Sequence, residues 1–192
     1  FGDSVYEVVL FRNNIFYDFK DHIDRLRRSL SSLDFNLNKT DKVLFLICKY
    51  LIKLNKISFG SVYIQVSRGV FDRDHSYKNM KLSPVLVIIT KNNKTDFLKN
   101  ANGIKTITMN DTRWKHPDIK TTQLLPNVLA KTQANRNNAD EAIFLDDKGF
   151  VTEGSSSNVW ILDNKDNLFT RNLDGSILPG ITRKTIFECA KL

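Results

Sequence analysis

The spacing of apolar residues changes twice in the first ninety positions. "DSVYEVVLFRNNIFY" (3–17) alternates apolar and polar residues and is rich in β-branched and aromatic side chains, so it predicts a strand hairpin turning at Asn13–Asn14. In "DHIDRLRRSLSSLDF" (21–35), Ile23, Leu26, Leu30 and Leu33 recur at helical spacing and mark one helix face. "TDKVLFLICKYLIKLN" (40–55) predicts a second helix, capped by Thr40 or Asp41, with Val43, Leu44, Ile47, Leu51 and Leu54 as its apolar stripe. "GSVYIQVSRG" (60–69) and "SPVLVIIT" (83–90) return to strand patterning, separated by a polar stretch. The expected order is β-β-α-α-β-β, an α+β layer.

The polar stretch "KNNKTDFLKN" (91–100) is the best linker candidate, which divides the chain into 1–92, a linker at 93–98, and 99–192. Beyond it, "GIKTITM" and "EAIFLDD" predict strands, and "NVWILD" with "LFT" a hairpin. "LLPNVLAKTQANRNN" (124–138) predicts a helix with Pro126 in its first turn, and "ILPGITRKTIFECAKL" opens a last helix. No repeats or low-complexity segments interrupt this order.

Composition narrows the class. The chain has 192 residues, 41% hydrophobic and 26% charged, as expected of a globular protein. Its apolar runs are too short to span a bilayer as a helix. The absence of a signal-peptide pattern and the two isolated cysteines, Cys48 and Cys189, read as reduced core thiols, point to the cytoplasm. The net charge of +8 permits anionic ligands, but the basic residues are dispersed. The densest cluster, "RLRR" at 25–28, shares a helix with Asp21 and Asp24 and reads as a solvated face rather than a nucleic-acid patch. The chain starts at Phe1 and stops within a helical pattern, so the expectation is a portion of a longer protein.

Four features could carry chemistry. "LPGITRKT" (178–185) runs a Pro-Gly turn into a helix start, where unpaired amides and a threonine hydroxyl suit a phosphate; every helix start has such amides. "VTEGSSSNVW" (151–160) is either a long polar hairpin loop or a ligand-facing turn. Glu153 offers a carboxylate there, Gly154 a close approach and the serines hydrogen bonds. Lys120 in "DIKTTQLL" is either a surface lysine or a partly desolvated nucleophile. Arg73 and His75 in "SRGVFDRDH" (67–75) share a face in an extended segment and could grip a carboxylate; a basic loop is the alternative.

Together and in this order the features resemble the fold-type IV aminotransferases that use pyridoxal phosphate, and within them the D-amino-acid branch. The resemblance is carried by "FGDSVYEVV", "DHIDRL", "VYIQVSRGVFDRDH", "DIKTTQLLPNVLAK", "DEAIFLD", "VTEGSSSNVW" and "ILPGITRK". It implies a small N-terminal α/β sandwich domain and a larger pseudo-barrel β domain with helices, the C-terminal part of which is missing. It implies that Lys120 carries the cofactor and moves the Cα proton, and that Glu153 faces the pyridine nitrogen. Arg25 and the amides of Ile181 and Thr182 would hold the phosphate. Leu178 would pack on the ring, and Ser157 would lie beside it.

Tyr6, Arg73 and His75 would trap the substrate carboxylate, with Tyr63 lining that pocket. Arg73 and His75 would reach in from a second subunit of a homodimer. The implied reaction moves an amino group from D-alanine to 2-oxoglutarate, giving pyruvate and D-glutamate. The small-molecule amino acids and oxo acids would be its only partners, with no nucleic acid, membrane or metal. The alternatives are a branched-chain aminotransferase or an aminodeoxychorismate lyase of the same fold, or an inactive truncated remnant.

Overall fold

The computed structural model describes residues 2–77, 82–93 and 103–191. The chain divides into two compact units. One comprises Phe1–Thr95 with Ile119–Thr122, and the other Asp96–Asp118 with Gln123–Leu192. Most of the proposed linker, from residue 94 on, lies outside the described residues.

The first unit is a four-stranded antiparallel sheet beside two helices. Its strands are β1 (Ser4–Arg12), β2 (Ile15–Phe16), β3 (Phe59–Ser67) and β4 (Val85–Asn92), in the order β2-β1-β3-β4. Asn13 and Asn14 both take positive φ, the conformation a two-residue hairpin turn demands and asparagine tolerates. The alternation in β1 sends Val5, Glu7, Val9 and Phe11 inward. β3 adds Val62, Ile64 and Val66. Helix α1 (Phe19–Ser32) covers them with Ile23, Leu26 and Leu30.

Helix α2 (Asp41–Leu54) starts where expected: the Thr40 hydroxyl accepts from the Val43 amide at 3.3 Å. Its buried stripe, however, is Leu44, Cys48 and Ile52, whereas Val43 and Leu54 are exposed. A helix turns about 100° per residue, so a one-position error in the stripe moves the buried face by a quarter turn. The sequence stripe passed over Cys48, which behaves as a small hydrophobe. Burial pushes its thiol up to about 12. The second cysteine, expected in a core, is exposed.

In the second unit β5 (Thr106–Asn110) pairs in parallel with β6 (Glu141–Leu145), and β6 pairs antiparallel with β7 (Val151–Gly154). Helix α3 (Leu125–Arg136) lies between β5 and β6 in sequence and packs Ala130 and Ala134 against Ala142 and Phe144. β8 (Trp160–Leu162) and β9 (Leu168–Thr170) form the expected hairpin, and α4 (Ile181–Cys189) ends the fold. Between β5 and α3 the chain visits the first unit. Tyr6 donates its amide to the Lys120 carbonyl at 3.0 Å, and Thr122 donates to the Ser4 carbonyl at 3.0 Å. β2 covers only the far end of that edge of β1, at Phe11 and Arg12, which leaves the near end for this segment. Lys120 is therefore placed with the first unit and not with 99–192, because strand-edge pairing outweighs sequence position.

Among the described residues no helix is long and apolar enough to cross a membrane, and no cluster of His, Cys, Asp and Glu could hold a metal.

Candidate active site

In the first unit the site begins with an exception in a strand. Glu7 occupies an inward position of β1, between Val5 and Val9, and is fully buried. A buried carboxylate requires charged partners. Arg25 of α1 supplies a two-pronged pair, Nε to Oε1 at 2.7 Å and Nη2 to Oε2 at 2.8 Å. His22, one turn earlier on α1, has Nδ1 2.7 Å from Oε2. Burial pushes the Glu7 carboxyl up, but Arg25, His22 and the positive field of Lys120 together hold it below the ordinary value.

On the neighbouring positions of the same sheet, Tyr6 and Tyr63 stack with ring centroids 5.4 Å apart. The Lys120 Nζ lies 4.3 Å from the centre of the Tyr6 ring, within cation–π range. The Lys120 amide faces the buried Ser29 hydroxyl at 3.3 Å. Tyr63 donates its hydroxyl to Gln65 at 2.5 Å, and burial raises its proton affinity. Thus Tyr6, Tyr63, Arg25 and Lys120 share one unit, with Glu7 and His22 linking into the same charge network.

The second unit builds a different cluster around the turn that follows β7. Glu153 is 4% exposed. Arg113 donates to it through Nη1, Asn158 through Nδ2 at 2.9 Å, and the Leu178 amide to both oxygens at 3.1 and 3.2 Å. Burial is the largest influence on Glu153 and raises its proton affinity, Arg113 opposes that, and the net shift is upward. The turn itself is closed by the Gly154 amide donating to the Ser157 carbonyl at 2.6 Å. A side chain at Gly154 would collide with the Ser157 hydroxyl, and one at Gly180 with the Asn158 side chain. Asn158 also donates to the Leu178 carbonyl at 3.0 Å, so one amide group ties Glu153 to the segment leading into α4.

The serines of this turn have a protein partner. The Ser155 hydroxyl donates to Glu141 of β6, and the Ser156 hydroxyl does so at 3.1 Å. Asn127 of α3 secures the Ser155 carbonyl at 2.8 Å. Two of the three serines thus fasten the turn to its own sheet. Ser157 is exposed at its tip.

Ile181 and Thr182 open α4. Gly180 precedes them as the N-cap and offers no side chain to the first amides. Ile181 is buried, Thr182 exposed and Leu178 half-buried. Arg73 and His75 lie exposed in the segment after β3. Arg25 is buried, with its guanidinium paired to Glu7.

Sequence reasoning missed Glu7, His22, Arg113 and Asn158. Glu7 was findable, as an acid on the apolar side of an alternating strand. Arg113 was not, because "NDTRWKH" carries no periodic signal and its partners are remote in sequence.

The family model for amino-transferase class IV matches residues 4–192. A D-alanine aminotransferase of Staphylococcus aureus (strain N315) is 37% identical over the whole chain, which spans 67% of that protein. A putative 4-amino-4-deoxychorismate lyase of Legionella pneumophila shares the fold with a TM-score of 0.87 at 22% identity, over 99% of this chain and 69% of its own. A branched-chain amino acid aminotransferase of Escherichia coli does so with a TM-score of 0.84 at 22% identity, over 100% and 66%. A further branched-chain enzyme of this fold was solved with N-(5'-phosphopyridoxyl)-L-glutamate bound. The chain belongs to the class IV aminotransferases, fold-type IV enzymes that depend on pyridoxal phosphate and transfer nitrogenous groups. It spans about two thirds of the length of the relatives it matches.

The residues present suit that cofactor. A protonated ring nitrogen calls for a carboxylate acceptor, and Glu153 is a buried one whose position is set by three donors. Lys120 offers a primary amine against an aromatic face.

Proposed function

We propose that this chain carries the cofactor-binding and substrate-binding residues of a D-amino-acid aminotransferase that moves an amino group from D-alanine to 2-oxoglutarate. The observation that carries this reading is the buried Glu153, held in place by Arg113, Asn158 and the Leu178 amide, as an acceptor for a protonated ring nitrogen would be. The preference for D-amino acids is supported by the Arg73-x-His75 pair and by the relatedness to D-alanine aminotransferase at 37% identity.

Pyridoxal phosphate, when bound, supplies an aldehyde for the Lys120 amine and a ring that takes up the electron pair left at substrate Cα. Lys120 then has two tasks, holding the cofactor and moving the Cα proton at Nζ. The Tyr6 ring lies against that amine, 4.3 Å from Nζ to the ring centre, and fixes its place. Glu153 accepts from the ring nitrogen. Leu178 packs on the ring, and Ser157 lies beside it. Arg25 and the amides of Ile181 and Thr182 hold the phosphate, where the α4 dipole favours an anion.

Tyr6, Arg73 and His75 bind the substrate carboxylate, with Tyr63 along the same wall. Arg73 and His75 serve a second copy, so the working form is a homodimer, and the enzyme is cytoplasmic. Residues 1–92 and 99–192 act as the small and the cofactor-binding domain, with Lys120 reaching back to the first.

Purified protein loaded with pyridoxal phosphate tests this reading. The expected result is a visible absorbance band, pyruvate from D-alanine and 2-oxoglutarate, and loss of both in Lys120→Ala with at least a ~1000-fold fall in turnover. Turnover of L-leucine or aminodeoxychorismate in place of D-alanine would assign one of the other activities of the fold. A protein that takes up no cofactor would be a remnant.

A further inference from the structure

Arg113 has no step of its own in the reading above, yet its side chain makes four hydrogen bonds. It lies in the segment after β5, with its side chain only 6% exposed. Its Nε is 2.9 Å from Asp111 Oδ1 and its Nη2 2.6 Å from Asp111 Oδ2, a two-pronged grip. Its Nη1 donates to Glu153, and Nη2 also reaches the Ser176 carbonyl at 3.3 Å. The guanidinium lies 4.9 Å from the centre of the Phe144 ring, an apolar floor that excludes water from one side. Asp111 is fixed in turn by the Thr152 hydroxyl at 2.8 Å, from the residue before Glu153.

The charges of this group make a pattern. Asp111, Arg113 and Glu153 together carry one negative charge. A lone Arg113–Glu153 pair would be neutral, and would offer a cationic ring nitrogen no net attraction. A lone buried Glu153 would take up a proton and stop accepting. The charged groups acting on Glu153 are Arg113, which favours its ionised form, and Asp111, which disfavours it; Asn158 and the Leu178 amide are neutral donors.

We propose that Arg113, gripped by Asp111, is the positioning residue that aims the Glu153 carboxylate and keeps it an anionic acceptor for the cofactor ring nitrogen. This rests on the assignment of Glu153 made above. Arg113 touches neither cofactor nor substrate; it acts through Glu153.

The test is the pH dependence of pyridoxal phosphate affinity in the full chain, measured by fluorescence quenching. Protonation of Glu153 should weaken binding on the acid side. In Arg113→Gln that acid limb is expected to move up by about one pH unit or more, since a neighbouring guanidinium shifts a carboxyl by roughly 1–3 units. In Asp111→Asn, Arg113 serves Glu153 alone and the limb is expected to move down. Arg113→Lys keeps the charge and should restore the limb, with weaker affinity at every pH because a single ammonium cannot fork. Loss of stability alone would lower affinity evenly and leave the limb in place.

Opposite movements in the Gln and Asn variants establish the proposal. An unmoved limb in both overturns it, and should Arg113→Gln not fold, the Asn variant decides alone. Glu153→Gln separates the two levels. If it abolishes the limb while the Arg113 and Asp111 variants leave it in place, only the positioning role fails. If it keeps the limb, the assignment of Glu153 itself fails.

Discussion

Two buried arginine–glutamate pairs sit in the two units, and they push their carboxylates in opposite directions. Glu7 meets Arg25 through both oxygens, with His22 alongside and Lys120 adding its field, and its proton affinity falls. Glu153 meets an Arg113 already gripped by Asp111, and its proton affinity rises. Burial raises both. The difference lies in how much positive charge each carboxylate has to itself. Burial and an arginine neighbour therefore do not determine a carboxylate's state by themselves: at Glu153 burial outweighs the arginine, with Asp111 adding to it, whereas at Glu7 His22 and Lys120 join the arginine and outweigh burial. In the first unit the arrangement favours a permanent anion beneath a lysine. In the second it leaves a carboxylate whose ionised form depends on a shared arginine.

The strongest way to break the comparison is to remove one cation. Arg25→Met should leave Glu7 buried without its main partner and cost about 3–5 kcal/mol, read as a fall in the urea midpoint at neutral pH. A loss below about 1 kcal/mol would mean that His22 and Lys120 hold Glu7 without Arg25.

A smaller effect separates the two carboxylates by sign. Glu7 has a folded-state proton affinity below its ordinary 4.5. Its contribution to stability is present above that value and lost as the pH falls through the folded-state value. Glu153 is raised, so its contribution is present below the ordinary value and lost as the pH rises through the folded-state one. In urea titrations across acid pH, Glu7→Gln should therefore remove part of the acid-side loss of stability. Glu153→Gln should remove part of a loss seen on raising the pH. The same slope change in both variants would contradict the opposite shifts.

The smallest expected effect is a control. Lys20 and Asp24 are in contact at 2.5 Å along α1, as close as the buried pairs, but both side chains are at least half exposed. Water screens them, so Lys20→Met should leave the midpoint unchanged. A measurable drop would show that proximity, not burial, sets the worth of these pairs.

Much of this was legible in the residues. The hairpin at Asn13–Asn14, the Thr40 cap and the helix start at Ile181 are local, because each depends on neighbours in sequence. The turn "VTEGSSSN" was legible as a feature but not in its wiring. Two of its serines answer to Glu141, and its asparagine joins Glu153 to Leu178. Those partners lie on other strands and loops, out of reach of any periodicity.

The sequence by itself determined the order of elements and the family, since backbone propensity and family motifs are written in short runs. Only the tertiary structure decided that the Lys120 segment pairs with β1, that Arg25 belongs to Glu7, and that Arg113 divides its charge between Asp111 and Glu153. Electrostatic character inside a protein depends on distance and exclusion of water, and both are set by segments far apart along the chain.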